Sequence, residues 1–410
     1  MESISVRSDE GRDADRRLAV WGAVIVGFVS FVAILLSSEF RTTPYNNQVL
    51  LADAWRHGRS WIDFPGDYID ALLYAGKRYV IEGPMPAVLL LPFVLFFGKA
   101  TNQTLLATAL GAVATGAAWE LCRRIGSGVR ARVWLVLFLF AGTDLWWTAA
   151  LGDVWFVAHT SAVAFTLLAL VELLGRRRAP LVFLWGICAA ESRFPLVLAL
   201  PVYAYFLTLE GIRGQRFLPR SIREALRRLA PTLLVVVPAL ALWIWYNEVR
   251  WGVATDIGFA AWYARPEVGG MSGGGSQFAL RFLPSEAWSF FVQPPSFKPA
   301  FPWIVPDIGG QALIWTSPAL VLAFLARRPL PLVCGLWAAT ALVAGPSLLY
   351  YSNGVAQFGM RHALDFEPFA FALMALGTRR GLPRWGAILC AYSALAGAYG
   401  LWYWQTFIRR

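Results

Sequence analysis

Residues Gly152–Arg178 read GDVWFVAHTSAVAFTLLALVELLGRRR. One end carries a lone carboxylate, Asp153, and the other three successive arginines, Arg176–Arg178. Between them Val154–Leu174 is apolar almost throughout, and ~20 such residues suffice to cross a hydrocarbon core. Arginines collected at one end of such a run mark the cytoplasmic side of a membrane helix. This stretch therefore predicts a span running from an outer aspartate to an inner arginine cluster.

The same pattern recurs outward from it. Apolar runs occupy Leu18–Leu36, Val133–Phe140, Leu196–Leu207 and Leu233–Trp245. Of the 410 residues 58% are hydrophobic and 15% charged, against about 25% charged in an ordinary soluble chain. A cytosolic enzyme, a disordered regulator and a disulfide-stapled secreted domain are all excluded. The net charge of +11 does not point to a polyanion. About half of the basic residues sit in short clusters between apolar runs, as the positive-inside rule requires: around Arg123, Arg176, Arg220, Arg327 and Arg379. No nucleic-acid partner is expected. Cys122, Cys188, Cys334 and Cys390 lie in or beside apolar runs and read as packing residues. His57, His159 and His362 are too scattered for a metal cluster.

The arginine clusters orient the rest. Residues 1–17 form a cytoplasmic tail and Leu18–Ser37 an uncleaved anchor. An outer loop, 38–103, follows, with an amphipathic helix in Tyr45–Arg59 and an interfacial helix in Pro84–Gly98, which is too short to span. Spans are expected at Thr104–Leu121, Val133–Ala150 and Val154–Leu174. Leu181–Ala190 and Phe194–Leu209 form a hairpin, and Pro231–Tyr246 leads into a second outer loop, 247–309. That loop contains Gly269–Gly275 and many aromatics, which suit either a mobile lid or a plain connection. Gln311–Leu325, Pro331–Tyr350, Ala370–Leu376 and Trp385–Trp404 complete the set, the last within a C-terminal transmembrane segment, 381–410. The expectation is an all-α polytopic membrane protein with about eleven transmembrane helices, counted by the ~20-residue rule. The last crossing would leave Arg409 and Arg410 outside, against the charge rule.

Charge at membrane depth costs at least ~2.5 kcal/mol, so the charges away from the cytoplasmic rim need a reason. They fall into four outer groups: Asp144 and Asp153; Glu191 and Arg193; Arg361, His362, Asp365 and Glu367; and the loop aspartates Asp63, Asp67 and Asp70. Each has a plain structural alternative. Asp153 and Asp365 suit helix caps, Glu191 and Arg193 suit mutual neutralisation, and the loop aspartates suit solvation. Together they describe a cleft of both signs facing outward, walled by aromatics such as Trp61, Tyr68, Trp146 and Trp147, which also suit interfacial anchors.

Several of these stretches resemble the GT-C superfamily of polyprenyl-phosphate-sugar-dependent glycosyltransferases, nearest the family 39 branch of protein mannosyltransferases and lipid A aminoarabinose transferases. Gly76–Pro86 (GKRYVIEGPMP) followed by AVLLLP is similar to the approach to the family's second juxtamembrane helix. Gly152-Asp153 is similar to its second-outer-loop aspartate, and Trp185–Pro195 to a glycine-containing hairpin ending in a basic residue and proline. Gln357–Phe369 is similar to a late outer-loop motif of bacterial members. The resemblance implies a GT-C-like catalytic module over 18–380, in a bacterial plasma membrane, with its active site extracytoplasmic. It implies sugar transfer from a polyprenyl-phosphate donor to a glycan, lipid or protein acceptor by inverting attack, with membrane lipid around it. Catalytic candidates are Asp70, Asp153 and Asp53. Substrate-binding candidates are Arg193, Glu191, Arg361, His362, Lys77, Arg78, Tyr79 and Glu82. A carboxylate would take the acceptor proton, and Arg193 or Arg361 would neutralise the leaving phosphate. No metal is required by the resemblance, although outer-loop carboxylates can hold a divalent cation.

One departure matters. Family members carry an acid just ahead of the first juxtamembrane helix, where this chain reads Thr43-Pro44-Tyr45-Asn46-Asn47. Either the base has moved to Asp53, Asp63, Asp67 or Asp70, with Asp70 favoured, or the chemistry is lost. A transporter or flippase, whose charges lie nearer the midplane, and a non-catalytic assembly partner remain the rival readings.

Overall fold

The computed structural model describes residues 21–64, 70–211, 214–265 and 276–408. The expectations for the tail 1–17, Pro65-Gly66, Asp67, Tyr68, Gly269–Gly275, Arg409 and Arg410 lie outside the described residues.

The architecture is a helical bundle with two very small antiparallel sheets. The first helix is described over Trp21–Ser37 (α1). The first long loop then forms α2 (Asn47–Arg56), a hairpin of β1 (Ala71–Tyr74) and β2 (Lys77–Val80), and α3 (Met85–Phe97). Tyr74 faces Lys77 across the hairpin, so Ala75 and Gly76 form its turn. Ala75 and Gly76, with φ of +47° and +74°, supply the two left-handed residues that a tight hairpin needs. Helix α3 buries Ala87, Leu90 and Val94 against Val49 and Leu50 of α2 and leaves Phe93 and Phe96 exposed.

The bundle proper comprises α4 (Gln103–Ile125), α5 (Val129–Ala141), α6 (Leu145–Leu151), α7 (Val154–Leu173), α8 (Ala179–Ala190), α9 (Leu200–Thr208), α10 (Ile222–Leu229) and α11 (Leu233–Trp251). After α12 (Gly258–Tyr263) and α13 (Leu283–Phe291) come α14 (Leu313–Thr316), α15 (Leu330–Leu349), α16 (Glu367–Gly377) and α17 (Arg384–Tyr403). The second sheet pairs β3 (Ser296–Phe297) with β4 (Ile304–Val305).

Eleven crossings are not supported. Among the described residues four helices are long and apolar enough to cross a membrane: α4, α7, the continuous stretch Ile222–Trp251 and α15; a fifth is obtained if α5 and α6, bent by 46°, count as one span. The shortfall has a physical cause. Apolar runs were counted as whole helices, but several are broken. Phe194–Leu209 opens as a 3₁₀ turn, Phe194–Ala199, before α9. Gln311–Leu325 is a single helical turn followed by a 3₁₀ stretch, Pro318–Leu325. Pro195, Pro201 and Pro318 cannot donate the backbone bond that a continuous helix requires there.

Helix α7 is the centre of the bundle and is almost wholly buried, whereas the apolar stretch of α11 is almost wholly exposed. An apolar helix exposed all round is a lipid-facing one. The helix ends sort by charge. Arg124 donates to the Val171 carbonyl at 2.6 Å, Arg177 to those of Phe206 and Leu209 at 2.6 and 2.7 Å, and Ser127 to Ala375 at 3.3 Å. The last turns of α4, α7, α9 and α16 thus share one basic end. At the opposite end Gln103 donates to the Gly152 carbonyl at 2.8 Å, where α4 and α7 begin. A helix the length of α7 separates the two ends by ~30 Å.

Candidate functional site

At the end away from the basic clusters, five segments bring charged groups together. Asp70 precedes β1, Glu82 follows β2, Arg193 follows α8, Trp155 stands in the first turn of α7, and Arg361–Asp365 is a 3₁₀ turn ahead of α16.

Asp70 adopts a left-handed backbone (φ +50°) and accepts a hydrogen bond from the Trp155 indole. Such a conformation in a non-glycine residue costs free energy and survives only where its surroundings fix it. Burial raises the Asp70 carboxyl above its ordinary value, against the pull of the Trp155 N–H, Glu82, Arg361 and Arg265. Glu82 is raised well above the usual range, by burial first and then by the Asp70 carboxylate. Two neighbouring buried acids cannot both ionise cheaply, and the upward push is the stronger on Glu82. Glu82 is placed from both sides. The Gln48 amide donates to the Gly83 carbonyl at 3.2 Å, and the Met85 N–H donates to the Glu191 carbonyl at 3.2 Å. Gly83 presses so closely on that carbonyl that no Cβ fits between them.

The positive half is held as firmly. The Arg193 guanidinium donates to both Asp365 oxygens at 3.0–3.3 Å and to His362 Nδ1 at 3.0 Å. A guanidinium has no acceptor, so His362 receives at Nδ1, and it is neutral; burial, Arg193 and Arg361 all depress its pKa. Asp365 also accepts from His159 Nδ1 at 3.0 Å. Although burial opposes it, the charge of Arg193 and the His159 bond hold the Asp365 carboxyl well below the ordinary range. Arg361 lies over Trp155 and Phe156, with its Cζ 5.9 and 5.6 Å from the ring centroids, and donates to the Val355 carbonyl at 3.2 Å. Burial pushes its pKa down to about 10, which leaves it charged at neutral pH. Tyr350 and Tyr351, with centroids 4.8 Å apart, add an aromatic wall near Asp70 and Arg193. Glu82 Oε2 and Arg361 Nε are buried without a hydrogen-bond partner among the described residues.

The expected site residues therefore divide. Asp70, Glu82, Arg193, Arg361 and His362 come together. Asp153 lies next to this cluster: at the N-cap position of α7, it makes no side-chain capping bond and accepts from the Thr43 hydroxyl instead. Glu191 does not neutralise Arg193; it faces Arg250 and Asp256, and burial with Asp256 raises it to about 7. Asp365 does not cap α16, whose N-cap is Phe366. Asp53 faces Lys99 and His57 at 4.0 and 3.9 Å, and Asp63 faces Arg59 at 3.3 Å. Lys77 stacks on Trp61 at 3.7 Å, Tyr79 packs on Trp251 at 4.9 Å, and Arg78 lends its backbone carbonyl to Ile62. Among the described residues no group of three or more His, Cys, Asp or Glu forms a metal site.

His159, Trp155, Tyr350 and Tyr351 were not singled out from the sequence. His159 carried a usable signal, since a titratable side chain within an apolar span needs a partner. Comparisons with protein-family models, curated proteins and solved structures return no match.

Proposed function

We propose that the chain is a membrane glycosyltransferase with a GT-C-like organisation, moving a sugar from a polyprenyl-phosphate donor to an acceptor on the extracytoplasmic face. The observation that carries this reading is the Asp70–Glu82 carboxyl pair set against Arg361 and Arg193 at the end of the bundle remote from the arginine clusters. An acid–base pair beside two guanidiniums suits a reaction that both removes a proton and releases a phosphate.

In the proposed step the acceptor oxygen attacks the anomeric carbon from the face opposite the phosphate. The carbon–oxygen bond to phosphate breaks, and its electron pair leaves with the polyprenyl phosphate. Asp70 takes the acceptor proton, beside the Glu82 carboxyl, which burial and Asp70 push toward its neutral form. Arg361 and Arg193 hold the phosphate as its charge grows. His362 and Asp365 fix the Arg193 fork, and Trp155 with Tyr350 and Tyr351 walls the sugar. The polyprenyl tail stays in lipid beside the exposed apolar helices.

The test is transfer by purified, reconstituted protein supplied with a panel of polyprenyl-phosphate sugars. Asp70→Asn is expected to lower kcat by about 10²–10⁴-fold, the usual worth of a general base. Arg361→Gln is expected to raise donor KM and lower kcat. Full transfer in both variants would refute the assignment.

A further inference from the structure

At the basic end an open cavity of about 600 Å³ is lined by the start of α8, the end of α9, the end of α10 and Pro231. Its rim carries Arg177, Arg178, Arg227 and Arg228, while Leu181, Leu207 and Pro231 give it an apolar side. The four arginines are not equivalent. Arg178 is paired with Glu172 at 2.7 Å and Arg228 with Glu224 at 2.6 Å. Glu210, the acid in the wall, is taken by Arg220 at 2.5 Å. Arg177 spends its terminal nitrogens on backbone carbonyls, and its buried Nε has no partner among the described residues. Arg227 is exposed and makes no hydrogen bond or ion pair among the described residues. Two positive charges therefore face the cavity without a neutralising carboxylate.

The surroundings identify the occupant. Below Pro231 the surface continues as the exposed Leu233, Leu234 and Val237 of α11. Beside it, α10 is amphipathic: Ile222 and Leu226, one turn apart, are exposed on one side, and Arg223 and Arg227 lie on the other. At the basic end of the continuous stretch Ile222–Trp251, that places arginines where the apolar surface meets the headgroups. The cavity thus joins a cationic mouth to a lipid-facing wall at headgroup depth. We propose that it binds the headgroup of an anionic phospholipid, its phosphate against Arg227 and Arg177 and its acyl chains along α8 and α11. A soluble phosphate would use the mouth but not the apolar side. This site lies at the opposite end of the bundle from the proposed transfer chemistry and is tested without it.

The experiment is native mass spectrometry of the full chain released from nanodiscs of dioleoyl phosphatidylglycerol and dioleoyl phosphatidylcholine in equal parts. Phosphatidylglycerol is expected to be retained preferentially, and Arg227→Gln to reduce that preference about fivefold, the effect of one interfacial arginine. Leu181→Trp, which fills the cavity and leaves every charge in place, is expected to lower retention as well. Millimolar inorganic phosphate or glycerol 3-phosphate should not displace the lipid. Equal retention of the two lipids, wild-type retention in both variants, or displacement by inorganic phosphate would overturn the proposal.

Discussion

The sharpest test of the site's construction is Asp365→Asn. Asp365 is fully buried and is bonded to Arg193 through three contacts of 3.0–3.3 Å and to His159 at 3.0 Å. The substitution keeps the volume and one acceptor but removes the charge, and it turns an amide N–H toward either the guanidinium or His159. Breaking one side of a buried ion pair costs about 3–5 kcal/mol. The Arg193 side chain is 21% exposed, so water recovers part of that, and about 2–3 kcal/mol is expected. Arg193→Met should cost a similar amount, because it leaves the carboxylate buried beside His159. The double variant should fall short of the sum by about 2 kcal/mol, since the second change removes the charge stranded by the first.

The measurement is unfolding of the detergent-solubilised protein in mixed micelles, followed by circular dichroism. The pH dependence follows from the depressed folded pKa of Asp365. Its contribution is complete above the unfolded value of about 3.9 and is lost only as pH falls through the lower folded value. The difference between wild type and Asp365→Asn should therefore be flat from about pH 6 to 8. Additivity of the two single variants within about 0.5 kcal/mol would refute the coupling. So would a stability difference that varies across that range.

Three further outcomes are expected. In Glu82→Gln the pH profile of transfer should shift toward lower pH, because the more strongly raised of the two carboxyls is removed and Asp70 titrates without it; an unchanged profile would show that Glu82 does not set it. Gly83→Ala should destabilise by about 1–3 kcal/mol and slow transfer, because the new Cβ meets the Glu191 carbonyl and stands 3.0 Å from that of Ser192; wild-type melting would contradict this packing. Asp53→Asn should cost under about 1 kcal/mol and leave transfer intact, since its partners Lys99 and His57 are half exposed at 4.0 and 3.9 Å; lost transfer would return Asp53 to the list of bases.

Membrane character and the gathering of arginines at one end were legible in the sequence because both are local. An apolar run and its flanking charges are read within about twenty residues. The number of spans was not legible, because hydropathy counts apolar side chains and not backbone hydrogen bonds. Phe194–Leu209 and Gln311–Leu325 are as apolar as α7, yet prolines divide them into 3₁₀ turns and short helices. The partners of each charge were illegible for a related reason. Glu191 and Arg193 are two residues apart and suggested each other, but Arg193 reaches Asp365 and His159 reaches the same carboxylate from the core of α7. Tertiary contact decided those pairings, and no spacing rule encodes them.

The missing acid at Thr43–Asn47 is explained by similar reasoning. Sequence position left two readings, a base moved to Asp53, Asp63, Asp67 or Asp70, with Asp70 favoured, or lost chemistry. In the folded chain the Thr43 hydroxyl donates to Asp153, which is 110 residues away, and the Tyr45 ring lies 5.4 Å from Trp155. Trp155 in turn donates to Asp70. A carboxylate therefore does stand against the segment ahead of α2, supplied by the start of α7, and an aromatic contact and an indole bond link the segment to Asp70. Each carboxylate already accepts a bond, Asp153 from Thr43 and Asp70 from Trp155, but Asp70 also has Arg361 and the Glu82 carboxyl beside it, and burial raises it above its ordinary value. On these grounds Asp153 anchors the first loop to the bundle, and Asp70 is the carboxylate we propose as the proton acceptor.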